Sequence, residues 1–288
     1  MRRKGSGANA VWTARVLFAS CCVWLLLGSA AYPQIPQEQA KVILQTGLSE
    51  HNTGKRAAAV AALGLLQNDP WAIESAEEAL GDKKAAVRAA AATALGQMES
   101  KSSIPLLKKA LADKENQVFF AAADSLLAMD DPSGYDVYYE ILTGERKSGE
   151  GLIATKKRLI TDERAMVLLA MGVGIGFAPY ASYGWMVWRE LSKDYATPVR
   201  LNALKKLAND PDSRIGKGLL RAACDKHGTV RVAALFAIGR HDDPSLIAAI
   251  APHMMDKKAP VRYMAAAAVL RLSALVPADY ETQMATRQ

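Results

Sequence analysis

Apolar residues recur along most of the chain at intervals of three and four residues, the spacing that places side chains on one face of an α-helix. The stretch VRAAAATALG, residues 87–96, follows this spacing, and so does IPLLKKALAD, residues 104–113. Similar segments alternate along the chain and are separated by short polar stretches. The pattern predicts successive helical hairpins, each with a first and a second helix.

The hairpins repeat with a recognisable period. One column of the repeat reads Arg56, Arg88, Phe119, Arg164, Arg200, Arg231 and Arg262. Neighbouring members are 31 or 32 residues apart in four of the six steps. A regular period indicates units that bury their apolar faces on one another. We therefore predict an all-α fold, a right-handed α-solenoid of about seven hairpins over residues 32–275, followed by a tail over 276–288. Units 1 to 7 are numbered below in the order of this column.

An acidic column precedes the arginine column by six residues in most units. We expect each aspartate to lie in the turn between the two helices, where its carboxylate can accept hydrogen bonds from free amides of the second helix. Stacking would then align acids and arginines in a ladder, with Asp225 and Asp194 as the leading partners of Arg231. A glycine eight residues after the arginine, such as Gly96, is expected to let the second helix end and turn. The predicted ladder consists of Asp82, Arg88, Asp113, Arg164, Asp194, Arg200, Asp225, Arg231, Asp256 and Arg262.

The motif D-x-x-x-x-V-R-x-x-A-x-x-A-L-G, as at residues 82–96, resembles the short HEAT-like repeat of phycobilisome lyases and many bacterial proteins. The resemblance covers roughly residues 36–275 and implies a solenoid. It does not specify an activity, because such repeats occur in bilin lyases, metal-dependent hydroxylases, DNA glycosylases and scaffolds. The hydroxylases use His-Glu pairs as iron ligands, and no histidine here is followed by glutamate; the four are His51, His227, His241 and His253.

No catalytic or metal-binding constellation stands out in the sequence, so we expect a protein that is not an enzyme and binds no cofactor or metal. Four basic residues and no acidic residue precede Tyr32. Of the total net charge of +7, the rest of the chain therefore carries +3. The chain has no run of five basic residues. We therefore expect no nucleic acid partner and predict a protein or peptide partner, with the oligomeric state open.

The N-terminus has the three-part layout of a secretory signal over residues 1–31. The basic start MRRK is followed by the apolar run VLFASCCVWLLL and the small residues GSAA. We expect cleavage after Ala30 or Ala31 and export to the periplasm or cell envelope of a bacterium; an uncleaved anchor is the alternative. Cleavage would remove Cys21 and Cys22 and leave Cys224 as a single cysteine.

Unit 4 departs from the pattern. Arg158 stands where the acid should be, and a charged loop over residues 143–157 is inserted before it. Residues 165–188 contain no charged residue before Arg189 and include the Gly-rich apolar segment 172–184. We favour two array helices joined by an apolar linker; a membrane-contacting element and a full membrane span are the alternatives.

The second helices of HEAT-like arrays line an inner surface, so two positions on one face of each second helix are candidate protein-binding residues. They lie one and five residues after the arginine column and mix aromatic, aliphatic and charged side chains. We predict a non-catalytic protein-binding scaffold, with a membrane-associated HEAT-repeat protein or a bilin-lyase-like enzyme or tetrapyrrole binder as alternatives. The candidates are Phe120 and Asp124, Leu201 and Lys205, Val232 and Phe236, and Tyr263 and Ala267.

Overall fold

The computed structural model describes residues 35–143, 200–201, 203–204 and 213–276. Every regular element in these ranges is helical, which confirms the all-α prediction. The predicted signal segment 1–31, the insertion from residue 144 onward, the apolar stretch 165–188 and residues 277–288 lie outside the described residues.

The described helices alternate between first and second helices of hairpins. Short 3₁₀ segments at Lys101–Ser103, Pro244–Leu246 and Ala251–Met255 extend the first helices of units 3 and 7. The α-helices are α1 (Ile35–Leu48), α2 (Thr53–Leu63), α3 (Pro70–Ala79), α4 (Ala85–Gln97), α5 (Ile104–Ala110), α6 (Asn116–Ala128), α7 (Pro132–Thr143), α8 (Ser213–Ala223), α9 (Gly228–Arg240), α10 (Ile247–Ile250) and α11 (Ala259–Ala274).

The second helices form the interior of the array. Helix α2 packs against α4, α4 against α6, and α9 against α11. They are apolar around most of their circumference: residues 57–63 of α2 and 89–96 of α4 are all buried. Because the alanine side chain is small, neighbouring helices can approach each other closely at these positions. Alanine also has the highest helix propensity. The first helices α1, α3, α5 and α8 cover them and carry most of the exposed polar residues.

Gly64 stands at the C-terminal end of α2, as predicted, but Gly96 has a different role. A Cβ on Gly96 would lie 2.9 Å from the Cα of Ser125 on the next second helix, so glycine permits the close approach of two helices. The turn that ends each of these helices lies a few residues after the glycine column. It contains a non-glycine residue in the left-handed region, with φ between 52° and 60°. These turn residues are Asn68, Glu99, Asp130 and Asp242.

The last described unit stacks on the first. Helix α11 of unit 7 packs against α1 and α2 of unit 1. Gly47 of α1 makes room for Tyr263 of α11, because a Cβ on Gly47 would lie 2.7 Å from Tyr263 Cε1. The spatial order of the described units is therefore 6, 7, 1, 2, 3, with α7 packed against α6 beyond unit 3. We call the contact of unit 7 with unit 1 the seam.

Arg271 joins three units at the seam. Its Nε donates to Gly239 O at 2.7 Å and its Nη1 to Leu65 O at 3.1 Å, which are carbonyls near the ends of α9 and α2. The same guanidinium reaches Gln67 Oε1 at 3.1 Å and Asp242 Oδ1 at 2.9 Å. A single side chain thus satisfies carbonyl groups that the ends of two helices leave free.

Candidate functional site

In units 1, 2 and 6 the arginine joins its own turn to the turn of the next unit. In unit 2, Arg88 donates from Nη1 to Asp82 O at 2.9 Å within its own turn. It also binds Asp113 of unit 3 with two hydrogen bonds, Nε to Oδ2 at 2.7 Å and Nη2 to Oδ1 at 2.9 Å. This bidentate geometry is the strong form of the Arg–carboxylate ion pair.

The same contact recurs along the array. Arg56 Nε donates to Asp82 Oδ2 at 2.8 Å, and Arg200 Nη1 donates to Asp225 Oδ2 at 2.8 Å. The predicted partners Arg164 and Asp194 lie outside the described residues.

Arg231 requires a correction. Its Nη2 donates to the carboxylate of Asp256 in the following unit at 3.0 Å, whereas Asp225 accepts from its Nη1 through the backbone O, at 2.8 Å. The sequence prediction chose Asp225 and Asp194 as partners because the direction of stacking cannot be read from a repeat pattern. Four described arginines pair forward, with the unit that follows each of them: Arg56, Arg88, Arg200 and Arg231.

The aspartates also close their own turns. Asp113 Oδ1 accepts the backbone N–H of Glu115 at 2.9 Å, and Asp256 Oδ1 accepts that of Lys258 at 2.7 Å. The hydrogen bonds from Arg88 lower the pKa of Asp113, and they outweigh burial, which acts to raise it. These carboxylates are therefore ionised, and their hydrogen bonds to the arginines of the preceding units hold neighbouring units together.

At the seam the ladder continues with different chemistry. Arg262 Nη1 donates to Asp256 O at 2.8 Å, as the other arginines do within their turns. Glu50 occupies the acid column of unit 1, where Lys55 Nζ lies 3.2 Å from its Oε1. Burial first, and then the negative charge of Glu50 and a hydrogen bond to it, raise the pKa of Tyr263. The acid of the unit 1 turn thus lies beside the second helix of unit 7.

The predicted binding row is corrected at most of its positions. Leu201, Val232 and Tyr263 are each less than 9% exposed, and Ala267 is fully buried, so these side chains belong to the core. The reason is that the second helices α9 and α11 are buried around most of their circumference. Phe236 is half-buried and packs against the core, and Lys205 lies outside the described residues.

Phe120 and Asp124 remain at the surface edge of α6, within an aromatic cluster. The ring of Phe120 lies 5.0 Å from that of Phe119 and 6.5 Å from that of Tyr138, centroid to centroid. The Tyr138 hydroxyl donates a hydrogen bond to Asp124 Oδ1. Burial raises the pKa of both groups; for Asp124 the hydrogen bond from Tyr138 opposes this effect, and for Tyr138 the contact with Asp124 adds to it.

Beside this cluster, α7 presents two exposed tyrosines. Tyr135 and Tyr139 are 60% and 49% exposed, and their rings stack with centroids 6.1 Å apart. Leu127 of α6 is also exposed. We call Leu127, Tyr135 and Tyr139 the aromatic face. The sequence analysis missed it, although the spacing of YDVYY, residues 135–139, places Tyr135 and Tyr139 one helical turn apart.

Two kinds of site are not found in the described part of the chain. Residues 35–143 and 213–276 contain no group of three His, Cys, Asp or Glu side chains that could hold a metal ion. No helix within the same ranges has both the length and the apolar character needed to cross a membrane.

Stacked helical hairpins joined by a regular Arg–Asp ladder define a helical repeat protein. Residues 40–137 match the family model of HEAT repeats, and this part of the chain is a HEAT-repeat array, as the motif resemblance implied. No curated relative matches the sequence.

A solved structure of human deoxyhypusine hydroxylase in complex with glycerol is similar to this chain at 20% identity. The match covers 83% of this chain and 98% of that one, with a TM-score of 0.34. That protein is an enzyme, and the expectation that this chain is not an enzyme is withdrawn. A likeness at this TM-score carries no argument about which activity a chain has.

Proposed function

We propose that the protein is an exported scaffold of the bacterial cell envelope that binds a protein or peptide partner through the aromatic face. The observation that carries the proposal is the stacked, exposed pair of Tyr135 and Tyr139 on α7. Tyrosine is enriched at the centres of protein interfaces because it combines a large apolar ring with a hydroxyl that can stay hydrogen-bonded.

The surroundings of the pair support this interpretation. Tyr138, which precedes Tyr139 on α7, is held by its hydrogen bond to Asp124 and by the ring of Phe120. Helix α7 is packed against α6 and is therefore presented as a fixed surface. A partner would not have to order these side chains on binding, which lowers the entropic cost of association.

A capture experiment tests the aromatic face. The wild-type chain, a Tyr135→Ala/Tyr139→Ala variant and a control variant Val42→Ala/Met255→Ala are used as bait against an envelope fraction, and bound proteins are quantified by mass spectrometry. Val42 and Met255 are exposed apolar residues far from α7 in the stack. We expect one set of proteins to be retained by wild type and control and lost with the tyrosine variant. Equal retention by all three baits would contradict the proposal, provided that circular dichroism shows unchanged helicity.

Export is tested separately. Protein purified from its native host is subjected to N-terminal sequencing, and we expect it to begin at Ala31 or Tyr32. The basic, apolar and small-residue order of residues 1–31 supports this expectation. An intact Met1 on protein from the soluble cytoplasmic fraction would refute it.

A further inference from the structure

The part of the chain that forms the aromatic face is acidic. Residues 116–143 cover α6, α7 and the turn between them and contain no lysine, arginine or histidine, although the whole chain has a net charge of +7. A stretch with one sign of charge, in a chain of the opposite net sign, gives its own surface a local potential. Its acidic residues are Asp124, Asp130, Asp131, Asp136 and Glu140.

The exposed positions described on α7 form one stripe, and they are Pro132, Tyr135, Asp136, Tyr139 and Thr143. Residues three and four apart are neighbours on the surface of a helix. Tyr139 therefore lies beside Tyr135 on one side and beside Asp136 on the other. The stripe thus places a carboxylate one helical turn from an exposed tyrosine ring.

One acid beside the stripe already has a cation within the fold, because Asp131 Oδ2 lies 3.0 Å from Lys108 Nζ. Asp136 on α7 and Asp130 in the turn before it are exposed to solvent instead. A partner that contacts the ring of Tyr139 can therefore reach the carboxylate of Asp136 at the same time.

We propose that the aromatic face binds a basic segment of its partner, with an arginine side chain lying against Tyr135 and Tyr139. A cation is attracted to the face of an aromatic ring within about 6 Å of the ring centroid, and the planar guanidinium also stacks on rings. The two centroids are 6.1 Å apart, so one guanidinium can lie within reach of both. This inference rests on the proposed function and adds the chemistry of the partner.

The negative charge distinguishes this partner from other ligands. The carboxylates of Asp136 and Asp130 would repel the phosphates of nucleic acids and of anionic lipids. A wholly apolar segment would remove the Asp136 carboxylate from water without giving it a partner. An arginine-bearing segment avoids both effects, because its guanidinium pairs with the carboxylate and its aliphatic stem can cover the exposed Leu127.

The test uses the full chain and a labelled Arg-Ser repeat peptide, with binding measured by fluorescence anisotropy. Peptides of the same length with Gln or Glu in place of Arg are titrated in parallel. Asp136→Asn removes the exposed charge, Tyr135→Ala/Tyr139→Ala removes the rings, and Tyr135→Phe/Tyr139→Phe keeps them. The matched control Glu74→Gln removes an exposed carboxylate from α3.

We expect wild type to bind the Arg-Ser peptide at least about 10-fold more tightly than the Gln-Ser peptide, and the Glu-Ser peptide least of all. Asp136→Asn and the alanine variant should each weaken binding of the Arg-Ser peptide by about 5-fold or more. The phenylalanine variant and Glu74→Gln should stay within about 2-fold of wild type. Equal binding of the Arg-Ser and Gln-Ser peptides, or equal effects of Asp136→Asn and Glu74→Gln, would overturn the proposal.

The capture experiment separates this inference from the proposed function. Proteins that the alanine variant of the tyrosines fails to retain should also be lost with Asp136→Asn as bait, and free Arg-Ser peptide should release them from wild type. Full retention of those proteins by Asp136→Asn would refute the basic segment and leave the aromatic face as a binding surface. Retention that does not depend on the tyrosines would refute the proposed function, while the peptide titrations still decide the chemistry of the surface.

Discussion

The ladder arginines differ in how far their side chains are withdrawn from water, and their contributions to stability should differ accordingly. Arg88 is 15% exposed and holds Asp113 with two hydrogen bonds, whereas Arg200 is 49% exposed. We expect Arg88→Ala to lower the free energy of unfolding by about 2–3 kcal/mol, because it leaves the carboxylate of Asp113 without its partner. Arg200→Ala should cost less than about 1 kcal/mol.

Urea denaturation of both variants measures this difference. Arg56→Ala serves as an internal check, since Arg56 is similarly withdrawn and binds Asp82 in the same geometry. Equal losses for Arg88→Ala and Arg200→Ala would mean that burial does not determine what a ladder arginine contributes.

Two aspartates on neighbouring elements should respond to pH in opposite directions. The pKa of Asp113 is lowered in the folded chain, so its contribution is present above about pH 4 and is lost as the pH falls through the folded pKa. The pKa of Asp124 is raised by burial, so its ionisation disfavours the fold as the pH rises above about 4.

We therefore expect Asp113→Asn to destabilise the chain at pH 7 and to flatten the loss of stability in acid. Asp124→Asn should be neutral or stabilising at pH 7, because the amide keeps an acceptor for Tyr138 without a buried charge. Thermal melts between about pH 3 and pH 7 measure the stability of both variants relative to the wild-type chain. A stability loss at pH 7 that is equal in the two variants would contradict this assignment.

At the scale of helices, two glycines offer a matched pair. Gly47 on α1 faces Ala59 and Tyr263, each 2.7 Å from where a Cβ would lie, while Gly218 on α8 has no atom within 4 Å of that position. Gly47→Ala should destabilise the chain by about 1–3 kcal/mol through overpacking. Gly218→Ala should stabilise it by about 0.5–1 kcal/mol, since alanine loses less backbone entropy in a helix. Destabilisation of similar size in both would show that α1 and α11 do not pack this closely.

The helices and their order within a unit could be predicted from the sequence, because the apolar spacing and the Asp and Arg columns report on contacts between near neighbours. The functions of individual positions could not. Gly96 was interpreted as a helix terminator, but its role depends on Ser125 of the next unit. Tyr263 was interpreted as a surface residue, but α1 covers it. In both cases the deciding neighbour is not specified by the repeat.

At the scale of the whole molecule, the seam should protect the first helix of the array. Arg271 contacts units 6 and 1 from unit 7, whereas Arg262 on the same helix has its hydrogen bond to Asp256 O within its own unit. We expect Arg271→Ala to accelerate hydrogen exchange of α1 amides by about 10-fold or more and Arg262→Ala to have a much smaller effect. Mass spectrometry of peptides covering α1 measures the rates. Unchanged exchange of α1 in Arg271→Ala would contradict a seam that Arg271 stabilises.

The seam itself could not have been predicted from the repeat pattern. Most units offer a similar Ala-rich second helix and the same columns, so the pattern describes how any two units stack and not which two do. The aromatic face was missed for a related reason, since α7 lies where the period is interrupted and the columns no longer apply. Departures from the repeat are thus where the sequence is least informative about packing.

Because unit 7 stacks on unit 1, the order in which the helices are synthesised differs from the order in which their packing contacts can form. The α1 surface that receives Tyr263 is synthesised before units 2 to 6, and the helix that covers it is synthesised after them. While those units are being made, unit 1 of a nascent chain therefore has one side that its later neighbour does not yet cover. Only the synthesis of unit 7 supplies that neighbour.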